Sequence, residues 1–205
     1  MLKANVPKLD PREEHFWVSG PRGGMQLFLR RLSPAQPAPK DRIVLYVHGG
    51  TFPSALSIAH RFDGESWRDV LCAAGFDVWA FDCYGFGASD RYPEMNEPAT
   101  NNPSLCRAPE AAEQIAAAVR FILDQQAVPR LSIIAHSWGS IPAGRFAGAH
   151  PALVEQRRED VRARGIAHQV GDLGNMQSGA HSTLLIWRNF KPCFECNRSW
   201  FGSFQ

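Results

Sequence analysis

Leu131-Ser132-Ile133-Ile134-Ala135-His136-Ser137-Trp138-Gly139-Ser140 is an apolar, β-branched run that ends in a small-x-Ser-x-Gly turn, and a stretch rich in small residues follows it. The pattern predicts a buried strand, a tight turn at Ser137 and a helix. In that context a serine can act as a nucleophile, because the strained turn pushes its hydroxyl out of the chain. A hydroxyl remains a weak nucleophile until a base takes its proton. The residues two before and two after the serine must be small for strand and helix to approach, and Ala135 and Gly139 meet that condition. The helix beyond Ser137 aims its positive end at the turn. The N–H of Trp138 is the first expected donor to a developing oxyanion.

Working outward, Ile43-Val44-Leu45-Tyr46-Val47 is a continuous apolar run broken by His48-Gly49-Gly50. Such a run fits a strand covered on both faces, as in a parallel sheet. Glycine after it lets a backbone N–H face a substrate without side-chain obstruction. Gly50 is the expected second oxyanion donor, with Thr51 the next choice. His48 is read as a brace for this loop. Phe16–Val18 and Met25–Leu29 flank the turn-prone Ser19–Gly24 and predict a hairpin. Trp67, Val70, Leu71 and Ala74 recur at helical spacing before Gly75, and Phe76–Phe81 predicts the next strand. Pro109, Glu110 and Glu113 suit a helix start, and Ile115, Val119 and Ile122 give that helix an apolar stripe. The order of hairpin, then alternating strands and helices, predicts an α/β fold. It consists of a mostly parallel sheet with flanking helices and functional residues at the strands' C-terminal ends.

Composition narrows the classes. The 205 residues are 44% hydrophobic and 20% charged, with a formal net charge of +2. These values describe an ordinary globular chain, and no basic block points to nucleic acid. No apolar stretch approaches the ~18 residues of a membrane helix. The start of the chain lacks the apolar core of a signal peptide. The five cysteines are odd in number and scattered, so a disulfide framework is not expected and the cytoplasm is the expected compartment. Neither metal nor cofactor is expected. Cys193-x-x-Cys196 is a single pair, read as two incidental thiols.

Three segments in this order resemble the α/β-hydrolase superfamily, nearest its group of proline iminopeptidases, esterases and haloalkane dehalogenases. They are Val47-His48-Gly49-Gly50, Asp82-Cys83-Tyr84-Gly85-Phe86-Gly87-Ala88-Ser89 and Ala135-His136-Ser137-Trp138-Gly139. The middle one is similar to the family's D-x-x-G-x-G-x-S loop, whose glycines there allow a tight turn beside the pocket. Within the superfamily, dehalogenases and epoxide hydrolases carry aspartate at the elbow. Serine there implies acyl transfer on a small-molecule ester, amide, thioester or lactone through an acyl-enzyme. The resemblance also implies an acid and a histidine following the serine in chain order.

That likeness runs from about Phe16 to Pro151. Residues 1–155 read as the N-terminal part of the hydrolase domain, and 156–205 as an atypical tail. Residues 156 to 164 hold four arginines and no strand pattern. Thr183–Trp187 is the one strand expected beyond the serine. Asp160, Asp172 and His181 are the only acid and base candidates, and no strand precedes either carboxylate. The tail is expected to be out of register with the ancestral reading, through a frameshift, altered splicing or truncation, or else truly divergent. The C-terminal strands would then be missing or replaced, which exposes an apolar sheet edge and favours weak stability or association. Two functions follow: a serine hydrolase, or a catalytically impaired remnant without a complete triad.

Overall fold

The computed structural model describes residues 5–155 and the strand at 184–187. A hairpin opens the fold: β1 (Glu14–Ser19) pairs antiparallel with β2 (Gln26–Leu32), from Glu14 opposite Arg31 to Ser19 opposite Gln26. β3 (Ile43–Val47), α1 (Trp67–Ala73), β4 (Asp77–Asp82), α2 (Ala108–Gln126), β5 (Ser132–His136) and α3 (Ser140–Ala149) follow, with β6 at Leu184–Trp187. The sheet order is β1-β2-β4-β3-β5-β6. β3 lies at the centre, parallel to both β4 and β5. The flanking ladders β1–β2, β2–β4 and β5–β6 are antiparallel. The expected α/β-hydrolase architecture is therefore present, as a mixed sheet with a parallel core.

Burial explains why β3 carries no polar residue. Leu45 and Val47 join Trp79, Phe81, Ile133 and Ala135 under α2 and α3, where Ile115, Val119, Ile122 and Phe146 meet them. Val44 and Tyr46 point the other way, to Val78, Ala80 and Ile134, with Leu71 of α1 and Ile58. Alternate residues thus feed two cores, and a period-2 polar face would leave one of them uncovered.

Local chemistry sets the helix ends. Ser66 caps α1: its hydroxyl accepts from Asp69 N–H, and the Asp69 carboxylate accepts from Ser66 N–H. Such a box contributes about 1 kcal/mol. Gly75 follows at φ +85°, beyond the end of the helix, as its position in the sequence predicts. α2 starts with proline in its first turn and ends at Ala127, which takes the left-handed conformation.

The elbow helix α3 stops at Ala149. Val154 already bridges Leu131 in parallel: Leu131 N–H donates to Leu153 and Glu155 N–H donates to Leu131. Farther along the same edge of β5, β6 runs antiparallel, with Leu184 opposite His136 and Trp187 opposite Ile133. The described part of that edge is therefore covered rather than bare. The other expectations for the tail, including Asp160, Asp172, His181 and Cys193-x-x-Cys196, lie outside the described residues.

A buried ionic cluster joins the hairpin to α1. The fully buried Glu13 accepts from Arg30 Nη1 at 2.8 Å and from Arg68 Nη1, and it pairs with His15. Arg30 also donates to Ser54 Oγ at 2.9 Å. Among the described residues, no helix is long and apolar enough to cross a membrane.

Candidate active site

β5 delivers Ser137 into a single 3-10 turn, Ser137–Gly139, which runs directly into α3. Ser137 sits at φ +53°, one of three non-glycine residues with positive φ among the described residues. A β-carbon is disfavoured there, and such strain is typical of functional turns. The turn is also as tight as its small residues predict. A Cβ on Gly139 would lie 2.2 Å from the His48 carbonyl oxygen and 3.0 Å from that of Val47. Both contacts are backbone, so no side chain can rotate away.

The same packing brings the loop after β3 against the serine. A Cβ on Gly49 would meet Ser137 Cβ at 3.1 Å, and one on Gly50 would lie 3.6 Å from Trp138 Cβ. Gly50 and Trp138, the two expected oxyanion residues, are therefore neighbours across the elbow. Gly50 is exposed, while Ser137 and Trp138 are half-buried. Phe52 and Leu56, just beyond Gly50, and Ile141, on the first turn of α3, are exposed apolar side chains.

His48 is fully buried, and both its ring nitrogens are engaged. Nε2 accepts from Cys83 N–H at 3.0 Å, so the proton resides on Nδ1, which donates to the Gly49 carbonyl at 2.6 Å. Burial holds its pKa below the ordinary value, against the hydrogen bond to Gly49 and the charge of Asp82. A neutral histidine spent on two backbone bonds fixes the loop and leaves no nitrogen for a serine proton. The half-buried His136 is also held below its ordinary pKa by desolvation. Its Nδ1 faces the Gly49 loop, at 3.2 Å from where a Cβ on Gly49 would be.

Asp82 is the residue whose role the sequence reading missed. Its carboxylate accepts from Ser54 N–H at 2.8 Å and from Ala88 N–H at 3.1 Å, tying the loop after β3 to the glycine-rich loop after β4. A Cβ on Gly87, which sits at φ +51°, would fall 1.9 Å from that carboxylate. Ser89 accepts from Phe28 N–H at 2.7 Å and donates to the Asp82 carbonyl, joining the loop to β2. The D-x-x-G-x-G-x-S spacing carries this information, since aspartate, glycine and serine each fill a distinct place in one knot.

Two surface clefts, of about 760 and 630 Å³, lie elsewhere: Arg61 and Asp69 line the first, Arg120 and His150 the second. Neither is lined by Ser137, Gly50 or Trp138. Among the described residues, no group of three histidine, cysteine or acidic side chains could hold a metal, and none hydrogen-bonds to Ser137 Oγ.

Residues 44–202 match the family model described as the alpha/beta hydrolase family. No curated protein matches the chain. Among solved structures, an epoxide hydrolase from Vigna radiata is 18% identical with a TM-score of 0.52, over 71% of this chain and 38% of its own. A mutant Vigna radiata epoxide hydrolase is 19% identical with a TM-score of 0.51, over 71% and 37%. A thioesterase domain from the curacin biosynthetic pathway is 21% identical with a TM-score of 0.49, over 70% and 42%. The chain thus spans well under half the length of these structures, and at such identities the likeness with the epoxide hydrolases is one of fold.

Proposed function

The chain belongs to the alpha/beta hydrolase family, and from that membership we propose that it is a serine hydrolase of the proline iminopeptidase and esterase type. Ser137 Oγ attacks the carbonyl carbon of a small ester- or amide-type substrate. The N–H groups of Gly50 and Trp138 receive the oxyanion. The alcohol or amine leaves, and water then releases the acid from the acyl-enzyme. The observation that carries this reading is Ser137 at φ +53°, at a strand–turn–helix junction packed against Gly49 and Gly50. A residue held in that region only to make a turn would be better served by glycine. Among the described residues, no group accepts from the Gly50 N–H. The exposed Phe52, Leu56 and Ile141 suit the apolar part of an acyl group. This reading leaves the base and acid unassigned, with His181, Asp160 and Asp172 as weak candidates in the right chain order, and the scattered cysteines favour action in the cytoplasm.

One observation favours a second reading, an elbow without a complete triad: His48 is fully committed to the backbone and no described side chain reaches Ser137 Oγ. A fluorophosphonate probe separates the two. Rapid labelling at Ser137, lost in Ser137→Ala, is expected of the hydrolase. A cooperatively folded protein that the probe leaves unlabelled would overturn that proposal in favour of the second reading. Without the triad, turnover would fall to the roughly 10³–10⁴-fold over water that an oxyanion hole and binding can supply.

A further inference from the structure

The loop that carries Gly50 is clamped at both ends and unbonded in its middle. At its start the buried His48 spends both ring nitrogens on the Gly49 carbonyl and the Cys83 N–H. At its far end Ser54 is fully buried and engaged through three groups. Its N–H donates to the Asp82 carboxylate at 2.8 Å, its Oγ accepts from Arg30 Nε at 2.9 Å, and its carbonyl accepts from Ala59 N–H at 3.2 Å. Between these anchors Gly50, Thr51 and Phe52 are exposed, and among the described residues none of the three makes a hydrogen bond. Pro53 stiffens the last step at φ −69°, and its carbonyl accepts from Ser57 Oγ at 2.8 Å. Arg30 is itself held. Its Nη1 donates to Glu13 at 2.8 Å, and Glu13 also accepts from Arg68 in the first turn of α1. A buried, planar guanidinium gripped at one nitrogen by a buried carboxylate presents Nε in a fixed direction, so it fixes where Ser54 sits.

Given the serine-hydrolase reading above, on which this rests, we infer that Ser54 and Arg30 are positioning residues for the oxyanion site. They touch no substrate. Together they hold Gly50 against Trp138, and with it the N–H that receives the oxyanion. An exposed loop without hydrogen bonds of its own would let that N–H swing, and a group misplaced by about 1 Å can forfeit about 10²-fold in rate. The clamp removes this freedom before substrate arrives. It also brings the N-terminal hairpin into the site's support, since Arg30 lies in β2 and Glu13 just before β1.

The test uses the full chain, a fluorophosphonate probe and p-nitrophenyl butyrate. Ser54→Ala removes the bond from Arg30 but keeps the N–H bond to Asp82. In a protein that melts cooperatively, it should lower both the labelling rate at Ser137 and kcat about tenfold or more, with KM within about twofold of the parent. Ser54→Thr restores the hydroxyl and should recover most of that loss. Arg30→Lys keeps a charge beside Glu13 without the forked head, and it should repeat the Ser54→Ala pattern should the latter fail to fold. Val119→Ala, in the core under α2, is the control for lost stability and should label at the parent rate. A parent chain that the probe leaves unlabelled would overturn the serine-hydrolase reading and the clamp together. A labelled parent whose Ser54→Ala and Arg30→Lys variants react at the parent rate would overturn the clamp alone, as would a loss confined to KM.

Discussion

Gly139→Ala tests whether the elbow is as tight as its geometry requires. The new Cβ would start 2.2 Å from the His48 carbonyl oxygen and 3.1 Å from its carbon. It must move to at least 3.0 Å, since real Cβ atoms come no closer. Neither side can yield easily. β3 is held on both edges by β4 and β5, and Val47 pairs with Ala135 next to the contact. Overpacking in a rigid setting costs about 1–3 kcal/mol, and contacts between two backbones belong at the upper end. For a chain of this size each kcal/mol moves the melting temperature by about 2–4 °C, so a drop of roughly 6–12 °C is expected. Gly148→Ala is the internal control, because nothing lies within 4 Å of its added Cβ. Alanine there should be neutral or raise stability by up to about 1 kcal/mol, for its better helix propensity. Circular dichroism melts of the three proteins decide the matter. A Gly139→Ala protein melting within about 2 °C of the parent would refute the close approach of elbow and β3, and with it the reason Gly139 must be small.

The remaining predictions address the His48 brace and the ionic clusters of the fold. His48→Phe keeps a ring in the same place but strands the Cys83 N–H and the Gly49 carbonyl, so urea unfolding should show a loss of about 2–4 kcal/mol. Glu13→Ala leaves Arg30 and Arg68 buried without their shared carboxylate and should cost about 3–5 kcal/mol, with Glu13→Gln less damaging. Asp10 is held below the ordinary carboxylate range mainly by Arg12, against its burial. For Asp69, burial opposes ionisation, yet bonds from Arg61 and Ser66 outweigh it and hold the carboxyl at about 2. Folded values below the unfolded ones mean stability that is full above about pH 4 and fades as pH falls through the folded values toward about pH 2. Arg61→Ala should therefore destabilise more at neutral pH than near pH 2. The difference should be on the order of 1 kcal/mol after allowance for solvent screening at the partly exposed Arg61, measured by melts across that range.

Much of the fold can be read from short stretches because local pattern and global burial agree there. The unbroken apolar run at Ile43–Val47 requires cover on both faces, and two cores supply it. Ala135 and Gly139 announce the close approach around Ser137, and Gly139 meets backbone on the far side of it. The glycine-rich loop is legible as a turn, but its purpose is not. Only the assembled sheet carries Ser54 N–H to the Asp82 carboxylate, from 28 residues away in the chain. The Glu13 cluster is equally invisible in sequence. Glu13 precedes β1, Arg30 lies in β2 and Arg68 in α1, and nothing in their spacing says they share one buried volume.

By itself, then, the sequence determined the strand–turn–helix at Ser137, the parallel centre of the sheet and the glycines that permit both, because each depends on residue size and periodicity along the chain. Tertiary structure decided what touches what. It set Gly50 beside Trp138, spent both His48 nitrogens on backbone groups and tied Asp82 to the Ser54 and Ala88 N–H groups. Hydrogen bonds and close contacts act over a few ångströms in space, whatever the separation along the chain, so these relations form only when the strands assemble.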